Sequence, residues 1–153
     1  MKFNSIIVKD NKNNNIELRS ANISDAASII KYLKITADET PYLTKEFEEV
    51  TLTIKDEQEF IQNKSDNKRE LLLLAFVGEK LIGSCSIISV GNNKRYAHRC
   101  SLAIALYQEY CGRGIGKIMF ETMLRVAKEM GYEQAELEVM SKNTNEIGRA
   151  SCR

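Results

Sequence analysis

At 153 residues, with 43% hydrophobic and 28% charged residues, the chain has the size and composition of one globular domain. Two independent domains would each be left with a marginal core. Twenty-two Lys and Arg against twenty-one Asp and Glu give a formal charge of +1, so no global field draws the chain to nucleic acid or to an anionic membrane. Neither is expected as a partner.

Four cysteines (Cys85, Cys100, Cys111 and Cys152) lie too far apart for a CxxC motif, and His98 is the only histidine. No metal site is expected from such a set. Lys2 and the short apolar run after it stop at Asp10, far short of a leader peptide, and no run reaches the roughly 20 apolar residues of a membrane span. The expectation is a reduced, cytoplasmic domain spanning residues 1–153.

In chain order, Phe3 to Val8 and Ile16 to Arg19 are β-prone runs joined by an Asn-rich stretch. Asn tolerates positive φ, so a hairpin is predicted. Asn22 with Asp25 is a reciprocal capping pair, and Ala26, Ala27, Ile30 and Leu33 place one face of the following helix on a core. The only proline, Pro41, interrupts that pattern, and Tyr42 to Val50 reads as a short helix or ordered loop. Thr53 with Asp56 caps a second helix to about Asn63, followed by a polar loop over Ser65 to Arg69. Three strands then form an antiparallel meander: Leu71 to Val77, Leu81 to Val90 and Ala97 to Leu106. Ile115, Ile118, Met119, Met123, Val126, Ala127 and Met130 trace a helical stripe that ends at Gly131. Ala135 to Met140 is one more strand, making a βαβ unit whose strands run parallel or splay. The class is α+β, with a mixed, mostly antiparallel central sheet flanked by helices.

The stretch Tyr110-Cys111-Gly112-Arg113-Gly114-Ile115-Gly116-Lys117 carries the chemistry. Alternating glycines at a helix start let backbone N–H groups approach an anion, and the helix terminus adds unpaired donors and partial positive charge. Arg113 and Lys117 add mobile charge, and pyrophosphate is the natural tenant. A P-loop would need Gly at Cys111 and Ser or Thr at Ile118, so it fails. A Rossmann fingerprint needs G-x-G-x-x-G after the first strand of a parallel sheet, so it fails on spacing and position.

The segment Leu102 to Lys117, LAIALYQEYCGRGIGK, resembles the acetyl-CoA motif of the GNAT N-acetyltransferases, and Leu137-Glu138-Val139-Met140-Ser141-Lys142-Asn143 resembles that family's LEVxxxN strand. The resemblance extends in order over the whole chain. It implies that backbone groups of Ile104, Ala105 and Leu106 meet the pantetheine arm of acetyl-CoA. It also implies that Gly112, Arg113, Gly114, Ile115, Gly116 and Lys117 wrap the pyrophosphate, and that Asn143 touches the cofactor further on. Simple core packing explains Ile104 and Leu106 as well, and both readings can hold together.

The chain departs from the family at two places. Cys111 stands where Gln or Arg is usual; its thiol is either reactive beside a helix terminus or a neutral substitution. After Asn143 the family's Ala, Leu and Tyr places hold Glu146, Arg149 and Ala150, so the Tyr that commonly protonates the leaving thiolate is missing. The usual final hairpin is missing too, and residues 148–153 read as a non-native tail. A strand edge left open there would favour a homodimer through the C-terminal side of the sheet.

By resemblance, the function is acetyl transfer from acetyl-CoA to a primary amine of a small molecule or protein, without a metal. Glu138 matches a strand Glu that serves as base in some members, and an outward-facing strand carboxylate explains it equally well. His98 is either a base or a structural histidine. Glu46, Glu48, Glu49, Glu57 and Glu59 either attract a cationic amine or form a solvated helix face. An acyl-CoA-binding module without turnover is the alternative function.

Overall fold

The computed structural model describes residues 2–39, 53–91 and 93–137. The Asn-rich stretch makes the expected hairpin: β1 (Ile6–Lys9) and β2 (Asn15–Ser20) pair antiparallel, with Lys9 opposite Asn15. Asn13 takes the positive φ, 64°, that lets the turn close. The Asp10 carboxylate organises that turn by accepting from the Lys12 and Asn14 amides at 2.9 and 2.8 Å.

The chain then enters a single 3-10 turn (Ile23–Asp25) and α1 (Ala26–Glu39). Asp25 accepts from the Asn22 amide at 2.7 Å, as the capping pair requires. The buried side chains of α1 are Ala26, Ile29, Tyr32 and Thr36, with Ile30 and Leu33 half-buried and Ala27 exposed. The apolar stripe is thus rotated from the expected one, because Tyr32 and Thr36 belong to it despite their hydroxyls.

The second capping pair holds as expected: Thr53 Oγ1 accepts from the Asp56 amide at 3.1 Å and Asp56 accepts from the Thr53 amide at 3.2 Å. This opens α2 (Ile54–Asp66), which runs three residues past the predicted end. The Asn67 amide still reaches the Asn63 carbonyl at 3.1 Å, and Gln62 bonds Asp66 one turn on, so Ser65 and Asp66 continue the helix.

Then come β3 (Leu71–Val77), β4 (Lys80–Ser89) and β5 (Arg99–Leu106), an antiparallel meander. Turn bonds from the Tyr96 amide to Asn93 and from Arg99 to Tyr96 delay β5 to Arg99. A 3-10 turn (Gln108–Tyr110), α3 (Ile115–Glu129) and β6 (Gln134–Leu137) follow. The six strands lie in chain order, and only β5 with β6 is parallel. The fold is therefore the expected α+β one, with a mixed, mostly antiparallel sheet.

Consecutive buried residues such as Leu73, Leu74, Ala75 and Phe76 show that both faces of the central strands are covered. The paired helices α1 and α2 pack on β4 and β3, and α3 packs on β4 and β5. Of the predicted α3 stripe, Ile115, Met119, Met123, Val126 and Ala127 are buried and Ile118 and Met130 half-buried, while Gly116 and Thr122 are buried beside them. Each large apolar side chain buried this way contributes about 1.5–3 kcal/mol. Gly131, at φ 90°, ends the helix as expected. No described helix is long and apolar enough to cross a membrane.

Candidate functional site

Strand β5 delivers the site. Its main-chain groups alternate in direction, so each residue addresses one neighbouring strand only. The Arg99 carbonyl accepts from Val90 and the Tyr107 amide donates to Ile82, both on the β4 side, while the His98 carbonyl accepts from Glu133 and Gln134 on the β6 side. Odd-numbered residues from 99 to 107 thus face β4, and even-numbered ones face β6.

The last described β5–β6 pair is Leu102 with Leu137. Two and four residues on, the main chains of Ile104 and Leu106 continue to face that side of β5. Ala105 faces the other way, and its carbonyl accepts from the Tyr32 hydroxyl at 2.6 Å. The three expected backbone contributors therefore separate, with Ile104 and Leu106 directed toward the β6 side and the Ala105 carbonyl held from α1.

Past Leu106 the 3-10 turn leads into the glycine loop. Gly112 and Gly114 have φ of 77° and 80°, and Gly114 is the N-cap of α3. The first intrahelical bond runs from the Ile118 amide to the Gly114 carbonyl at 3.2 Å. The amides of the first helical turn, Ile115 to Lys117, have no partner within the helix, which is the donor set an anion requires. Arg113 lies over the Tyr110 ring at 4.9 Å, and Lys117 is 78% exposed with its Nζ 4.0 Å from the Glu121 carboxylate one turn on. Gly112, Arg113, Gly114, Ile115, Gly116 and Lys117 are brought together on one loop and helix start.

The β1–β2 turn supports this loop. The Asn11 amide donates to the Arg113 carbonyl at 2.8 Å. A Cβ on Gly114 would lie 2.8 Å from Asn11 Oδ1, too close to be accommodated without a shift. Burial pushes the Asp10 carboxyl up, but bonds from Asn14 and Lys12 and the Arg113 charge outweigh it and hold it below its ordinary range. Nothing in the local pattern of residues 10–14 signals this partnership, because it is made with main chain near the far end of the sequence.

The remaining candidates are separate. His98 is exposed and precedes β5, at the end away from the glycine loop. At about 3.3 Å per strand residue it is roughly 25 Å from Leu106, too far to act as base there. Cys111 is exposed, and its Sγ contacts the Tyr107 carbonyl at 3.7 Å. Glu57 is 3% exposed and Glu59 is exposed, so the two do not form one solvated acidic face. Glu136, the described carboxylate on β6, is paired with Arg99 on β5. Glu138, Asn143, Glu46, Glu48 and Glu49 lie outside the described residues, as do the expected tail at 148–153 and the open edge inferred for the homodimer.

An open hollow of about 380 Å³ lies on the α1 side, between Lys31, Ile35, Leu81 and Tyr107. Its rim carries the exposed Lys80–Glu109 pair at 2.6 Å. The hollow does not include the glycine loop.

A strand with main-chain groups directed to its parallel-paired side, followed by a glycine loop that starts a helix, is the arrangement expected of an acyltransferase of the α+β class. The chain belongs to the GNAT acetyltransferase family, whose model matches residues 33–150. Acetyl transfer is thus its chemistry. No curated protein matches the sequence.

Solved structures share the fold. A GNAT-family acetyltransferase from Streptococcus pneumoniae superposes with a TM-score of 0.82 at 24% identity, over 87% of this chain and 79% of that one. The GNAT domain of S. lividans PAT gives 0.78 at 19%, over 94% and 83%. The PaiA N-acetyltransferase from Thermoplasma acidophilum, in complex with coenzyme A, gives 0.71 at 21%, over 88% and 86%.

Proposed function

We propose that the protein transfers the acetyl group of acetyl-CoA directly to a primary amine of a small molecule or protein. The observation that carries this reading is the junction of β5 with the glycine loop: main-chain groups directed to the β6 side lead straight into an anion seat. A coenzyme A structure of the same fold supports the choice of donor. Pyrophosphate would rest on the amides of Gly112 to Lys117, with Arg113 and Lys117 above it. The pantetheine arm would run along Ile104 and Leu106, and Asn143 would meet the cofactor beyond it.

The Leu106 amide would donate to the thioester oxygen, where negative charge develops as the amine attacks. The acceptor must first lose a proton, since an ordinary lysine amine has a pKa near 10.4. Glu138 is the residue proposed to take it. The amine nitrogen bonds to the acetyl carbon, the carbon–sulfur bond breaks, and coenzyme A leaves as a thiolate that gains a proton. A thiol with a reference pKa near 8.5 is a good leaving group, so this step tolerates the missing Tyr.

The test is thiol release from acetyl-CoA with a panel of primary amines and amine-bearing peptides. Amine-dependent release with matching acetylated product supports the reading. Tight acetyl-CoA binding with no release on any amine would assign the chain to acyl-CoA binding instead.

A further inference from the structure

Tyr32 is the one fully buried residue of α1 whose polar atom reaches the sheet's main chain among the described contacts. Its side chain is completely enclosed, and its ring packs on Tyr107 with centroids 5.2 Å apart. Its hydroxyl meets the β4–β5 ladder at the Ser84–Ala105 pair. It donates to the Ala105 carbonyl at 2.6 Å and accepts from the Ser84 amide at 3.1 Å. Thr36 Oγ1, one turn along, donates to the Tyr32 carbonyl at 2.9 Å and holds this part of the helix.

The Ala105 carbonyl and the Leu106 amide are the two ends of one planar trans peptide, and no cis bond interrupts this stretch. In that plane the C=O and N–H point in opposite directions. A donor that fixes the carbonyl on the α1 side thereby fixes the amide on the β6 side. A hydrogen bond to the carbonyl also polarises the peptide and strengthens its N–H as a donor, the cooperative effect of a hydrogen-bonded chain.

Gly83 makes room for the arrangement. It pairs with Leu106, and a Cβ there would collide with Leu106 Cδ2 and lie 3.1 Å from the Ala105 oxygen. The absence of a side chain on β4 lets this one peptide sit where Tyr32 can reach it.

We infer that Tyr32 is a positioning residue for acetyl transfer, its hydroxyl orienting and polarising the Ala105–Leu106 peptide so that the Leu106 N–H binds the thioester oxygen. The inference rests on the proposed reading, in which that amide faces the acetyl group. Burial pushes the Tyr32 phenol above its ordinary range, against the bonds from Ser84, so it stays a donor at any working pH.

The experiment reads the thioester itself and needs no acceptor. Acetyl-CoA carrying an isotope label at the carbonyl carbon is bound to the protein, and its carbonyl stretch is isolated by infrared difference spectroscopy. The unaltered protein should lower the stretching frequency relative to free acetyl-CoA. Tyr32→Phe should lose at least about half of that shift while its acetyl-CoA Kd stays within about threefold, a difference below 0.7 kcal/mol. An undiminished shift in Tyr32→Phe would overturn the role. Fluorotyrosine at position 32 keeps the side chain and makes it a stronger donor. It should deepen the shift, and an unchanged frequency would also overturn the role. No shift in the unaltered protein, with acetyl-CoA bound, would overturn the Leu106 placement and the role of Tyr32 together. Loss of binding in Gly114→Val separates a failed anion seat from either result.

Discussion

The main-chain amide of Asn11 donates to the carbonyl of Arg113 at 2.8 Å, tying a turn near the start of the chain to the loop that opens α3. The loop is therefore not held by its own glycines alone. Its inner side is braced by the β1–β2 turn, which the Asp10 carboxylate in turn organises, while the amides of the first helical turn keep no partner within the helix.

Gly114 is where that brace and the backbone angle coincide. Valine there would have to adopt a φ of 80° and displace Asn11, whose Oδ1 would be 2.8 Å from the new Cβ. The strain is on the order of 1–3 kcal/mol. Gly114→Val should weaken acetyl-CoA binding by at least about tenfold, or 1.4 kcal/mol, as measured by titration calorimetry. Unchanged affinity would remove the loop from the pyrophosphate site.

Glu138 should matter to turnover and not to donor binding. If it takes the acceptor's proton, Glu138→Gln should lower kcat at pH 7 by about 10²–10⁴. The acetyl-CoA Kd should be unaltered, and steady-state kinetics beside calorimetry separates the two. Wild-type turnover in Glu138→Gln would remove it from the mechanism.

Asp25 gives a pH-dependent stability. Burial raises its carboxyl pKa, but the Arg19 hydrogen bonds at 2.7 and 2.9 Å, the Asn22 amide and the Arg19 charge outweigh it, so the folded-state value lies below the ordinary 3.8. A depressed carboxyl contributes its full stability above the unfolded value and loses it as the pH falls through the folded one. Asp25→Asn should therefore be less stable than the parent by about 2 kcal/mol at pH 7. The gap should narrow once the pH drops below about 4. Urea unfolding at both pH values measures it, and a constant gap would show that the charge is not what Arg19 recognises.

What could be read from the sequence was whatever had a period or a short spacing. The apolar run of β3, the helical stripe of α3 and the Thr53–Asp56 cap are local patterns, and each folds as written. The glycine loop was legible because its residue types are unusual at a helix start. Tyr32 was not, because a hydroxyl on an apolar face looks like an interruption until its partner, a carbonyl on β5, is brought beside it. The Asn11–Arg113 bond joins two main-chain groups, and main chain carries no sequence signature. The displaced stripe of α1 has the same origin: small Ala27 fits either face, and only packing decides that Ile29 and Tyr32 turn inward.

The spatial order of the six strands repeats their order in the chain. A polypeptide leaving the ribosome can thus add each strand to the free side of a sheet already made, without opening an existing ladder, and its antiparallel pairs form between successive strands. β2 and β3 wait for α1 and α2 to be made between them, and β5 and β6, the parallel pair, wait for α3 to cross. Since β6 flanks the side of β5 that Ile104 and Leu106 address, the surface proposed for the acyl donor is completed only once β6 has joined the sheet. A nascent chain halted before α3 would hold most of its sheet and still lack the helix start on which the proposed anion seat is built.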